Sequence, residues 1–137
     1  MTGLIEELKR DHVAIESMLA KAKDSSISHM EARKILMAAQ TSLIAHLKKE
    51  DDQLYPVLNR AALSDAALKQ MVDFYCKDME VITSNAISFF DKYSPANAAV
   101  NLEFVEAFGK LFSTITRRLR NEENTLFKEY EKTTRNR

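Results

Sequence analysis

His46-Leu47-Lys48-Lys49-Glu50-Asp51-Asp52-Gln53-Leu54-Tyr55 and Arg118-Leu119-Arg120-Asn121-Glu122-Glu123-Asn124-Thr125-Leu126-Phe127 are two copies of one pattern, [His/Arg]-Leu-x-x-Glu-acid-x-x-Leu-aromatic. On a helix, residues four apart stand on one face, so in each copy the first residue, the Glu and the second Leu line up on one stripe. An apolar stripe is the wrong place for a charge, because an unpaired buried ion costs several kcal/mol. The repeat therefore marks a place where two helices carry polar groups inward together, and it predicts a bundle of two related halves.

Outside the repeat, composition points the same way. The 137 residues include only 2 Gly and 2 Pro, against an average usage of roughly 7% and 5%. That leaves too few turn formers for a sandwich, barrel or doubly wound sheet. Twenty Lys+Arg balance twenty Asp+Glu, so no net charge draws the chain to nucleic acid or to an anionic membrane. One Cys cannot form an internal disulfide, and Glu6 and Glu7 stand where a signal peptide would be basic. No stretch approaches the roughly 20 apolar residues of a membrane span. A cytoplasmic protein with neither a nucleic-acid nor a membrane partner is expected.

Four amphipathic segments follow from the spacing. Leu4, Leu8, His12, Ile15, Leu19 and Ala22 form the stripe of a first helix. A capping box, Ser28 to Glu31, opens a second, with Ile35 or Leu36, Ala39, Leu43, His46, Glu50 and Leu54 inward and Pro56 expected to kink or end it. Ser64, with Leu63 stapled to Leu68, opens a third, carrying Leu68, Met71, Val72, Tyr75, Asp78, Met79, Ile82, Ala86, Phe89 and Phe90. Ser94-Pro95 opens a fourth, carrying Phe104, Phe108, Leu111, Phe112, Ile115, Arg118, Leu119, Glu122 and Leu126. Residues 1–132 are expected to form one domain, an all-α, antiparallel up-down-up-down four-helix bundle, and residues 133–137 a frayed basic tail. Counting rise along the helices puts His12, His46, Asp78 and Glu122 at a similar depth, which predicts one polar layer across the bundle.

With these residues in view, the chain resembles the hemerythrin-like family, the HHE cation-binding domains. The matching residues are Asp11-His12-x-x-Ile15, His46-x-x-x-Glu50 with Leu54-Tyr55-Pro56, and Glu122-Glu123-x-x-Leu126-Phe127. The resemblance implies a bundle whose core holds non-haem iron and which binds oxygen or senses oxygen, redox state or iron. It implies His12, His46, Glu50 and Glu122 as ligands. The chain departs from the pattern at Tyr75, Asp78 and Met79 in the third helix and at Arg118 in the fourth, where the family has histidines. Three histidines, one of them His29 at a helix start, do not make a five-histidine di-iron site.

Two readings of the polar layer stay open. In the first, His12, His46, Glu50 and Glu122, with Asp78, hold an Fe, Zn or Mn ion in an incomplete site that Arg118 opposes. In the second, Arg118 takes the place of the metal, pairing with Glu50, Glu122 or Asp78, and no cofactor is bound. Charge type and location suit the second. No phosphate loop, nucleophile motif or zinc-type His-Cys spacing occurs, so a non-enzymatic sensing or regulatory protein is expected. An anti-sigma-like interaction module is the competing class, with Phe89-Phe90 or the surface near Tyr130 meeting a protein partner or a second copy. Cys76 and the methionines Met18, Met30, Met37, Met71 and Met79 are expected as core filler.

Overall fold

The structure is a computed structural model and describes residues 3–24, 26–93 and 102–135. Its four helices are α1, Gly3–Ala22; α2, built of His29–Lys49, a π-helical turn Glu50–Leu54 and Tyr55–Ala62; α3, Ala66–Tyr93; and α4, built of Leu102–Asn121, a second π-helical turn Glu122–Leu126 and Phe127–Arg135. No strand occurs among the described residues. The all-α bundle expected from the low Gly and Pro content is the fold observed.

The inward stripes match the expected periodicity, except that Ile5 rather than Leu4 opens that of α1: α1 buries Ile5, Leu8, His12, Ile15, Leu19 and Ala22, and α2 buries Leu36, Ala39, Leu43, His46, Glu50 and Leu54. Their contacts make the helices antiparallel. Ile5 and Leu8 at the start of α1 pack with Leu54, Leu58 and Ala62 from the end of α2, with Leu68, Val72 and Tyr75 from the start of α3, and with Leu126 and Phe127 of α4. At the other end, Ile15 and Leu19 pack with Leu36, Ala39 and Leu43, with Ile82, Phe89 and Phe90, and with Phe108, Leu111 and Ile115. Between these two apolar clusters the buried residues are His12, His46, Glu50, Arg118 and Glu122. The polar layer expected from the helix heights is thus present, with a core on each side of it.

The two π turns fall at the same place in the two copies of the repeat. In each, the backbone N–H of the aromatic residue reaches back five residues: Tyr55 donates to the Glu50 carbonyl and Phe127 to the Glu122 carbonyl. The reason is angular. Glu50, Leu54, Leu58 and Ala62 are all buried at steps of four, and on an α-helix each such step drifts by about 40°. A widened turn absorbs the drift and keeps the stripe aimed at the core.

Several local expectations are corrected. Pro56 does not end α2, which continues to Ala62, because the proline sits in the first turn of the α-helical segment after the π turn, where a missing N–H is tolerated. The Ser28 cap is present, its hydroxyl accepting from the Glu31 N–H at 3.1 Å. At α3 the cap is Asp65, whose Oδ1 accepts from the Leu68 N–H at 3.1 Å, while Leu63 is 87% exposed and staples nothing. Asp65→Ala is expected to cost about 1 kcal/mol, checked by urea unfolding against a Ser64→Ala control that loses far less. Met30 and Met37 are exposed rather than core. Phe89 and Phe90 are buried in the core, which removes them as a partner surface. The Ser94-Pro95 cap lies outside the described residues, and α4 runs on to Arg135.

Candidate metal centre

His12 on α1, His46 and Glu50 on α2 and Glu122 on α4 converge in the polar layer. One potential ligand atom from each lies within 4.8 Å of all the others, and all four residues are buried. His12 Nε2 is 3.1 Å from His46 Nε2 and 3.1 Å from Glu122 Oε1. His46 Nε2 is 3.7 Å from Glu122 Oε1 and 3.3 Å from Glu50 Oε2.

The tautomers follow from what holds the other face of each ring. His12 Nδ1 lies 2.8 Å from Glu123 Oε2 and His46 Nδ1 lies 3.1 Å from Asp11 Oδ2. A carboxylate accepts only, so each imidazole donates its Nδ1–H outward and turns Nε2 inward, a lone pair when the ring is neutral and a donor when it is protonated. The bracing is crosswise: Asp11, next to His12 on α1, orients the imidazole of α2, and Glu123, next to Glu122 on α4, orients that of α1. Asp11 is itself held by Lys49 at 2.9 Å, which also reaches Glu7 at 2.8 Å. On its free face the His12 ring stacks on Phe127 at 5.3 Å. Carboxylate–histidine pairs of this kind are what fixes the rings of metal-binding histidines.

Without an ion, a proton on the inward imidazole nitrogens answers the carboxylates; with both rings neutral, two imidazole nitrogens and two carboxylates would point at one another with no donor among them. Glu50 shows the consequence most plainly, since both of its oxygens are buried without a hydrogen-bond partner. Bond lengths of about 2.0–2.2 Å put neighbouring ligands of one ion roughly 3 to 3.6 Å apart. Three of the spacings, 3.1, 3.1 and 3.3 Å, fall in that range, a fourth, 3.7 Å, lies just beyond it, and the whole set falls within 4.8 Å. The donor set also suits a first-row divalent cation.

The titration of these groups reports the same crowding. Burial opposes a charge on His46, but the carboxylates of Glu122 and Glu50 outweigh it and raise the imidazole to about 10. Burial also pushes the Glu50 carboxyl up, and the charge of Glu122 adds to that. Burial works against Glu122 as well, but hydrogen bonds from His12 and His46 and the Arg118 guanidinium hold it well below the usual carboxylate range.

Arg118 points into the bundle, 3% exposed. Its Nε donates to Glu122 Oε2, its Nη1 to Asp78 Oδ2 and its Nη2 to the Tyr55 hydroxyl, each at 3.0 Å. The guanidinium also lies over the Tyr75 ring at 4.6 Å. It thus occupies one side of the Glu122 carboxylate while the histidines face the other. Asp78 does not join the four-residue cluster: its side chain is 41% exposed and it meets the layer only through Arg118. Glu50, one of the carboxylates expected to pair with Arg118, is not among the guanidinium's hydrogen-bond partners.

Sequence reasoning brought together His12, His46, Glu50 and Glu122 and missed the roles of Asp11, Glu123 and Tyr55. The profile of the family described as Hemerythrin HHE cation binding domain matches residues 3–130. The chain belongs to the hemerythrin family. No curated protein and no solved structure matched it. No described helix of this hemerythrin-family chain is long and apolar enough to cross a membrane. What the family description adds to the geometry is the word cation, and the His/Glu cluster is the group of described residues that could hold one.

Proposed function

We propose that this chain is a one-cation member of the hemerythrin family, in which His12, His46, Glu50 and Glu122 bind a single divalent first-row ion, iron foremost, and Arg118 stands permanently where a second ion would go. The two readings of the layer then describe the two sides of one carboxylate: Glu122 offers Oε1 to the cation and Oε2 to the guanidinium. The observation that carries this is the convergence of four lone-pair atoms at ligand spacing, with both imidazoles braced from behind.

Charge supports one ion rather than two. A divalent cation neutralises Glu50 and Glu122, and Asp78 neutralises Arg118, so a second divalent ion would leave the buried layer strongly positive. Bound in this donor set, iron would supply reversible redox chemistry or small-ligand binding. The chain's own residues set the rest. Asp11 and Glu123 hold the rings, Phe127 covers His12, and the Arg118 fork fixes the Glu122 carboxylate in its plane. A buried ion held by side chains braced in this way suits sensing or regulation, in the cytoplasm.

Chelator-stripped protein titrated with Fe(II), Mn(II) or Zn(II) and read by calorimetry and metal analysis is expected to take up one ion per chain. His46→Ala is expected to abolish uptake. Two ions per chain, or none, would reject the reading.

A further inference from the structure

A groove of about 650 Å³ runs between α2 and α3 and ends on Glu50. Its walls include Asp51 from α2 and Cys76, Glu80, Thr83 and Ser84 from α3. Glu50 is 1% exposed, lines this groove, and has both oxygens without a hydrogen-bond partner. Asp51 and Glu80 stand at the solvent side, and no lysine or arginine lines the groove.

Each of the other three seams of the bundle is bridged by a cation among its described residues. Between α1 and α2, Lys49 bridges Glu7 and Asp11. Between α1 and α4, Arg120 pairs with Glu16 and reaches toward Glu123. Between α3 and α4, Arg118 pairs with Asp78, and Tyr75 meets Thr125. A positive ion approaching along these seams finds the carboxylates already paired with a resident cation, which it would have to displace. Along the α2–α3 groove the charged groups it meets are carboxylates, with the Thr83 and Ser84 hydroxyls set among apolar neighbours such as Leu47, Met79 and Ile87.

We propose that this groove is the loading route by which a divalent cation reaches the cluster from solvent, drawn in by Asp51 and Glu80, passed along the hydroxyl-bearing wall of α3 and taken over by the Glu50 carboxylate. The proposal rests on the reading that the cluster binds a cation. Glu50 serves both ends of the journey, since one residue lines the groove and belongs to the ligand set.

The test is loading kinetics, with Co(II) as the probe and its visible absorption as the readout, on the chelator-stripped 137-residue chain. Thr83→Phe, which fills the groove without touching a ligand, is expected to slow both uptake and release by about tenfold or more while leaving the dissociation constant unchanged. Glu80→Gln is expected to slow uptake and to weaken its salt dependence, whereas Asp91→Asn, an acid outside the groove, leaves it as it was. Alkylating Cys76 with a maleimide blocks the groove in the unmutated fold and gives the same slowing. Uptake at the unmodified rate in both Thr83→Phe and the alkylated chain overturns the route while the site stands. A wild-type chain that takes up no Co(II) at equilibrium removes the site itself, and the route with it.

Discussion

Arg118→Ala is expected to lower the unfolding free energy by about 3–5 kcal/mol, the cost of stranding one partner of a buried ion pair. The magnitude follows from what the side chain holds. Glu122 is 0% exposed and would keep its negative charge with only the imidazoles to answer it. The Tyr55 hydroxyl would lose its donor, and the space under the Tyr75 ring would open. Asp78 contributes little to this, because its carboxylate is partly solvated, so Asp78→Ala is expected to cost no more than about 1 kcal/mol. Arg118→Lys recovers only part of the loss, since an ammonium cannot serve Glu122, Asp78 and Tyr55 from one planar fork. Guanidinium chloride unfolding of the three variants side by side checks the order. A loss below about 1 kcal/mol for Arg118→Ala, within the range of exposed pairs, would show that the guanidinium is not the counter-charge of the layer.

Glu50→Leu carries the second large effect, and its two consequences have opposite signs. In chelator the variant is expected to be more stable than the parent by about 1–3 kcal/mol, because a buried carboxyl without hydrogen-bond partners is replaced by an apolar side chain of similar volume. Its affinity for a divalent cation is expected to fall by at least about a hundredfold, given that losing only an outer brace of a metal site costs about 10–100-fold. Thermal unfolding with and without Zn(II) reads both at once: the parent gains from the ion and the variant does not. A variant destabilised in chelator would mean that Glu50 has a structural partner. A variant that keeps its affinity would remove Glu50 from the ligand set.

The buried faces of the helices were legible because their stripes are regular, and the four clustered residues were legible because they interrupt those stripes at matching heights. Asp78 was misplaced by the same height count, which fixes depth along a helix but says nothing about how far a side chain stands from the axis of the bundle. The long Arg118 arm bridges that distance. Asp11 and Glu123 escaped because each adjoins a clustered residue in sequence, about 100° away on an ideal helix, and braces a ring on another helix. Only packing reveals such crosswise partners. The π turns did leave a trace, in the run of buried residues at steps of four from Glu50 to Ala62, which no straight α-helix keeps on one face. Pro56 was expected to kink or end the helix because it lacks an N–H, and the helix instead continues past it after the π turn.

The polar layer lying between two apolar clusters has a mechanical meaning. Side chains of the two cores are separated by groups that do not attract hydrocarbon, so the bundle is two short hydrophobic columns stacked end to end, joined mainly by the continuous backbones of its helices. An ion held by α1, α2 and α4 at the joint would act as a rivet through three of the four struts. Loading would then stiffen the molecule at its waist and couple the two ends to each other.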